Sequence, residues 1–481
     1  MASRFTRRTC LQAMASGSMA TLMALALASC GGAAAVTSAP STAVSSASAA
    51  SAPSTASAVT SQAATATQAA PSTSAAATTV VAANTAAKAT VQLQVWQNWG
   101  LESADPRTAF TVKTLVPRFA EEHPGLSFAL TFAGNGTAVL EKITANVAAG
   151  TPPDVSFVYA QWTVGMGRKG IIIALDDLMA RDKSFDKADF YPDLWQALSY
   201  DNKVWGFPQN RHPFAVFYRT DLFTQYHGEF PKTWSDFVTL AQRLTHADQG
   251  QYASDMGSGD SNFWDIGQRS DGGDYLAPDG SKVMWDSAAG LQSLQYQADL
   301  FQKYQIGPPK SIAKGFEGGK IAMTIAGPWR VNGYLTEKLP VLTFPFPKGS
   351  TEAATHVNTD TWGVLKTAAA RQEGGFTFVS WYASKPIYGD WAIRFQHAPL
   401  TKSIAADPAY QKFVAETPIM AAFLSPDVTP TITPLTPVTD QLTTILGKHV
   451  AEATTGKTDP LTAIKQATSE ANAALALAAK A

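Results

Sequence analysis

Residues 91–159 switch repeatedly between two periodicities, and this constrains the fold more than any other feature of the chain. Val91-Gln92-Leu93-Gln94-Val95-Trp96 alternates apolar with polar residues, as a strand does, and Gln97-Asn98-Trp99-Gly100 then breaks the pattern. A helix is expected over 107–123, a strand over 126–133 ("LSFALTFA"), a helix over 136–149 ending at Gly150, and a strand over 155–159 ("VSFVY"). Strands that alternate with helices imply an α/β fold around a parallel sheet, and ligands of such sheets sit beyond the carboxyl ends of the strands. Here those ends are Trp96 to Trp99, Gly134-Asn135-Gly136 and Ala160-Gln161-Trp162.

A second group of elements follows Trp205-Gly206-Phe207-Pro208. It comprises a strand and turn in "AVFYRTDLF" (215–223), a helix in "TWSDFVTLAQRLTHAD" (233–248) opened by a Thr or Ser cap, and a long helix over 288–306. "KIAMTI" (320–325) reads as a further strand, leading into the loop Ala326-Gly327-Pro328-Trp329-Arg330. "PVLTFPFP" (340–347) reads as a return crossing, "TWGVLK" (361–366) as a strand and 371–384 as a helix; there is no internal repeat.

Upstream of residue 91 the composition is of another kind. Arg4, Arg7 and Arg8 precede a modestly apolar stretch, Ala13 to Ala28, and the small-residue boundary Leu27-Ala28-Ser29-Cys30-Gly31, the three parts of an export signal too short and broken to span a membrane. Leu-Ala-Ser-Cys resembles the bacterial lipobox, so Cys30 is expected to carry a lipid. Arg7-Arg8-Thr9-Cys10-Leu11 also resembles a twin-arginine signal, which leaves the export route open between folded and unfolded transport. Residues 31–90 are almost wholly Ala, Ser, Thr, Pro and Val, with no aromatic residue and one charge, Lys88. Such a segment buries too little apolar surface to offset its chain entropy and reads as a tether.

All twelve Trp lie in 91–481, with 33 basic and 38 acidic residues, a net of −5. That balance points to neither nucleic acid nor anionic lipid as partner. At this length two lobes are expected. Both Cys, Cys10 and Cys30, lie upstream, so the body has no disulfide and no cysteine-based metal site or nucleophile.

The order of these segments resembles the extracellular solute-binding proteins of sugar ABC transporters, the family that includes maltose-binding protein. The matching stretches are Val91 to Gly100, "LVPRFAEEHPGLSF" (115–128), "ITANVAAGTPPDVSFV" (143–158), "GIIIALDDLM" (170–179), "YDNKVWGFP" (200–208), "FYRTDLF" (217–223), "FPKTWSDF" (230–237), "FEGGKIAMTIAGPW" (316–329) and "APLTKSI" (398–404). The resemblance implies a two-lobed periplasmic-binding-protein-like fold of type II with an inter-lobe cleft. Its expected segments are a lipoprotein export signal at 1–30, the tether at 31–90, first-lobe residues 91–208, second-lobe residues 209–342, a return mainly to the first lobe at 343–400 and second-lobe helices mainly within 401–481. Crossings are expected near Pro208–Phe214 and Leu342–Pro347. The partners it implies are a sugar, the transmembrane permease subunits and, through Cys30, the membrane; it implies a monomer with no cofactor. One departure is "HVNTDTWGVLK" (356–366), where many members carry a Gly-Gly pair.

A sugar site needs flat aromatic platforms and polar groups aimed at hydroxyls. Trp329 is the leading platform, since Gly327-Pro328 fixes its backbone and the family places a stacking aromatic at this Trp. Trp96, Trp99, Trp162 and Trp264 are further candidates, with Asn98, Asn135, Gln161, Asn210 and Asp265 as hydroxyl partners and Asp360 and Trp362 at the departure. Trp195, Trp205, Trp234, Trp285, Trp381 and Trp391 read as core. Arg211 and Arg330 would suit an acidic sugar or a glycerol phosphate if they converge, and otherwise read as lobe-closing salt bridges. A secreted glycosidase would need paired carboxylates, for which Asp260, Asp265 and Asp360 are the loop candidates. No G-x-S-x-G, H-E-x-x-H or metal-ligand spacing occurs, and the seven His are scattered. An adhesive surface lipoprotein would bind no small ligand at all.

Overall fold

The computed structural model describes residues 91–99, 105–134, 136–224, 230–256 and 259–480, together with the backbone of Thr79–Val80. The export signal, Cys30, the rest of the expected tether and Asn135 lie outside the described residues.

The first lobe is built on a sheet whose centre is Val91–Gln97, paired in parallel with Leu126–Phe132 on one side and Val155–Tyr159 on the other. The expected parallel order holds for these three strands only. Asp360–Val364 joins next to Val155–Tyr159 but antiparallel, followed by Phe207–Pro208. The reason is connectivity: Asp360 enters from the other lobe and pairs with Tyr159, the last residue of its strand, so the arriving chain starts at the carboxyl edge and runs back. Thr79–Val80, inside the stretch expected to be only tether, pairs antiparallel with Leu130 and Thr131 at the far edge. The expected helix over 107–123 runs from Pro106 to Glu122 with a wide π-type turn at Thr111–Leu115. Its Phe119 packs on Phe128, Phe378 and Trp381, tying the sheet to the helix Ala369–Tyr382.

The second lobe holds a separate sheet in the order Tyr252–Ser254, Ile321–Ala326, Ala215–Arg219, Val341–Phe344, antiparallel except for its first pair. The helix Trp234–Leu244 starts where expected because Thr233 and Asp236 cap it reciprocally. The helices Thr439–Thr454 and Pro460–Ala478 share a core with Trp264, Trp285 and Leu294. Among the described residues no helix is long and apolar enough to cross a membrane.

Between the lobes, His212–Pro213, Ala354–Asn358 and Thr429–Thr431 form a small sheet of crossing strands. The first crossing lies where expected. The second does not: Val341–Phe344 is an edge strand of the second sheet, because its apolar run pairs with Ala215–Arg219, and the chain crosses later, through Ala354–Asn358 into Asp360.

Candidate functional site

Strand Ile321–Ala326 is buried and ends at Gly327, after which Pro328–Arg330 makes one tight helical turn. The Trp329 ring folds back over Gly327, where an added Cβ would lie 1.9 Å from the ring. Glycine before this Trp is therefore a packing requirement, and proline pre-sets the turn that follows. The ring stands edge-on to His212 (centroids 5.0 Å, 79°) and Phe214 (5.5 Å, 67°), and Trp329 is 42 % exposed. Among the described residues it is the most exposed indole, Trp205 and Trp234 being half-buried and the others buried.

That surface lines a cavity of about 380 Å³ between the lobes. Facing it from the first lobe are Asp105, Pro106 and Arg107, with Phe395 and His397, while Asn332 and Gly333 adjoin the Trp. Asp105 caps its helix by accepting from the Arg107 amide (2.8 Å) and grips the Arg107 guanidinium (Nη2, 2.8 Å), presenting a fixed charge pair to the cavity. Deeper, Asp360 Oδ2 accepts from Asn210 Nδ2 (3.3 Å) and lies 3.2 Å from His212 Nε2, while Asn210 Oδ1 accepts from the Tyr388 hydroxyl (3.1 Å). Asp360 lines a second cavity, of about 220 Å³, with Tyr159, Gln161, Asn262 and Thr443. Across the lobes Trp162 Nε1 donates to Asp440 Oδ1 at 3.3 Å.

Burial holds the His397 imidazole well below its ordinary value, and the neighbouring His212 and Arg107 add to this. Folded His397 stays neutral, while the unfolded chain takes up its proton near pH 6.5. Stability from this residue is therefore complete above that pH and falls as the pH drops below it, with a slope approaching about 1.4 kcal/mol per pH unit. Chemical denaturation between pH 7 and 5 should show this slope, and His397→Gln should flatten it; an unchanged slope in the variant would remove His397 as its source.

The structure places several expected site residues in the packed interior. Trp264 is fully buried on the helix Ser261–Ser270, donating to the Gly290 carbonyl (2.8 Å), because Asp260 caps a helix where a loop was expected. Asp265, one residue on, is equally buried and satisfies Gln268 and Arg269. Trp362 is 1 % exposed and packs on Trp99, Phe378 and Tyr382; Trp99 also packs on Trp391. Trp96 is a buried strand residue whose ring lies under the Lys142 ammonium (4.8 Å). Trp162 is a buried helix residue whose N–H reaches the other lobe. Asn98 is half-buried beside them. Of the six Trp read as core, Trp195, Trp285, Trp381 and Trp391 are buried and Trp205 and Trp234 half-buried.

Nor do Arg211 and Arg330 converge. Arg211 Nε is bonded to Asp193 (2.8 Å) within the first lobe, and Arg330, largely exposed, lies 3.8 Å from Glu317 in the second. The cavity instead receives His397, Asp105 and Arg107, with His212 buried against the Trp329 ring, and sequence reasoning passed over all four. One signal was present: Asn210 and His212 are two apart in an extended segment and so share a face, which excludes Arg211.

Residues 105–387, more than half of the chain, match the family model described as "Bacterial extracellular solute-binding protein". The galactooligosaccharide-binding protein of Bacillus subtilis (strain 168) is 24% identical over 347 residues, 68% of this chain and 78% of its own. The cyclic alpha-maltosyl-1,6-maltose binding protein of Arthrobacter globiformis superposes with a TM-score of 0.70 at 20% identity, covering 80% of this chain and 99% of that one. An ABC substrate-binding protein of Listeria monocytogenes, solved with cycloalternan, gives 0.69 at 19% identity over the same shares.

Proposed function

Since this chain belongs to the bacterial extracellular solute-binding protein family, we propose that it captures a sugar between its two lobes and delivers it to the permease of an ABC transporter. The carrying observation is the exposed Trp329 indole opposite the Asp105–Arg107 pair. A planar apolar face and a fixed array of donors and acceptors match the two surfaces of a pyranose, its C–H face and its hydroxyl rim. The sugar is neutral on this reading, because each arginine of the expected anion clamp is engaged by its own acid. The sugar-binding relatives named above support the class of ligand.

The protein acts as a binder and leaves its ligand chemically unchanged. The carboxylates nominated for hydrolysis are committed elsewhere: Asp260 to a helix cap, Asp265 to Gln268 and Arg269, and Asp360 to Asn210 and His212. A thermal-shift screen over neutral mono- and oligosaccharides, uronates and glycerol phosphates tests both points, because a ligand bound only by the folded state raises the melting temperature. A neutral sugar is the expected hit and should be recovered intact; a response confined to uronates or phosphates, or a cleaved sugar, would overturn the reading.

The exported body is a monomer held at the cell surface by lipid on Cys30. Cys30→Ser should move it from the membrane pellet to the soluble fraction with its melting temperature unchanged, because acyl chains supply the attachment. Continued pelleting would dismiss the anchor.

A further inference from the structure

Behind the crossing strands, on the face opposite Trp329, lies a groove of about 640 Å³. Strand alternation creates the division: His212 meets Trp329 in front, and Arg211 and Pro213 line the groove behind. One wall is the helix Pro408–Glu416, whose Tyr410 belongs to the first lobe's core; the other is the turn Pro418–Leu424, whose Phe423 packs on Phe217 of the second sheet. The lining is apolar apart from a few groups, Arg211 foremost.

The Arg211 side chain is 9 % exposed. Its Nε is taken by Asp193, and one face of the guanidinium is covered by the Tyr191 ring (4.4 Å). Among the described residues neither Nη has a hydrogen-bond partner, and Arg211 lines the mostly apolar groove, so these donors are open to whatever occupies it. The Tyr410 hydroxyl donates to the His397 carbonyl (2.9 Å), and among the described residues it accepts nothing from Arg211. An acceptor from outside the chain completes this site. Its charge is constrained as well: Asp193 already balances Arg211, and Asp189 adds negative charge near Tyr191, so a further anion would be repelled.

We propose that this groove is a second binding site, separate from the sugar cleft, for a neutral apolar molecule carrying one carbonyl or hydroxyl oxygen, which accepts from the Arg211 Nη groups while its body lies against Val414, Phe423 and the prolines. The proposal is independent of what the cleft binds.

The neutral fluorescent ketone 6-propionyl-2-(dimethylamino)naphthalene tests it by titration against the ligand-free protein. One saturable site with blue-shifted emission is expected. Ala415→Trp, at an exposed position on the groove rim, should abolish binding by filling the groove. Arg211→Lys, which keeps the charge beside Asp193 but loses the planar fork, should weaken binding about tenfold or more. Trp329→Ala should leave it unchanged. Absence of saturable binding, or binding that survives Ala415→Trp, would overturn the proposal, as would loss in Trp329→Ala, which would put the probe in the cleft. Tighter binding of 2-naphthoate than of the ketone would overturn the assignment of a neutral occupant.

Discussion

Trp329→Ala lowers affinity for the cleft sugar by about 2 kcal/mol or more, upwards of roughly 25-fold, while the fold is nearly unaffected. The indole is 42 % exposed and rests on Gly327 and against His212 and Phe214, so truncation removes a platform rather than a core filler. The cost to stability should stay far below the roughly 3–5 kcal/mol of a buried Trp truncation. Titration calorimetry and denaturation on the same preparation check both halves. Because Trp329 is the most exposed Trp among the described residues, the variant should also lose most of the fluorescence change that sugar produces and part of the fluorescence quenched by acrylamide. Strong destabilisation with unaltered affinity in the folded fraction would make Trp329 a packing residue and leave the cleft without its platform.

The opposite pattern is expected of Trp264→Ala. Its indole is fully buried against Trp285, and its N–H holds the Gly290 carbonyl at 2.8 Å. Truncation leaves a cavity and removes the Gly290 carbonyl's second hydrogen bond, a loss of about 3–5 kcal/mol in folding stability. Affinity measured on the folded fraction should be unchanged, because Trp264 lies inside the helical core of the second lobe. Weakened sugar binding without loss of stability would return this residue to the cleft.

The two tryptophans show where sequence stops being legible. Trp329 could be read because its neighbours are punctuation: a buried strand, then Gly-Pro, leave the next side chain few places to go. Trp264 sits in "GDSNFWDIG", a Gly-, Ser- and Asp-rich stretch that reads as loop, yet Asp260 uses its polarity to cap a helix. Local chemistry could not separate a cap from a loop; only packing against Ala288–Gln302 and the C-terminal helices does. The crossing poses a different problem. That 208–214 runs between the lobes was legible, but whether Arg211 or His212 faces the cleft depends on the phase of alternation, which pairing with Val357 and Asn358 sets. Asp360 and Trp362 divide in a related way: Trp362 lies within the first lobe's core, while Asp360, at the strand's first residue, reaches past it to the cavity.

That same crossing has a mechanical consequence. Arg211 and His212 are consecutive residues of one extended segment, pinned to Ala354–Asn358, with a cavity before it and a groove behind. Were the lobes to rotate about this segment, it would be the fulcrum of a balance: narrowing the front would widen the rear, since both lobes contribute walls to each side. A molecule wedged behind the beam would then tip it toward the closed front, and one that clamped the rear walls together would hold the front open. By reciprocity, whatever factor such a molecule imposes on the grip in front, the occupant in front imposes in equal measure on the grip behind.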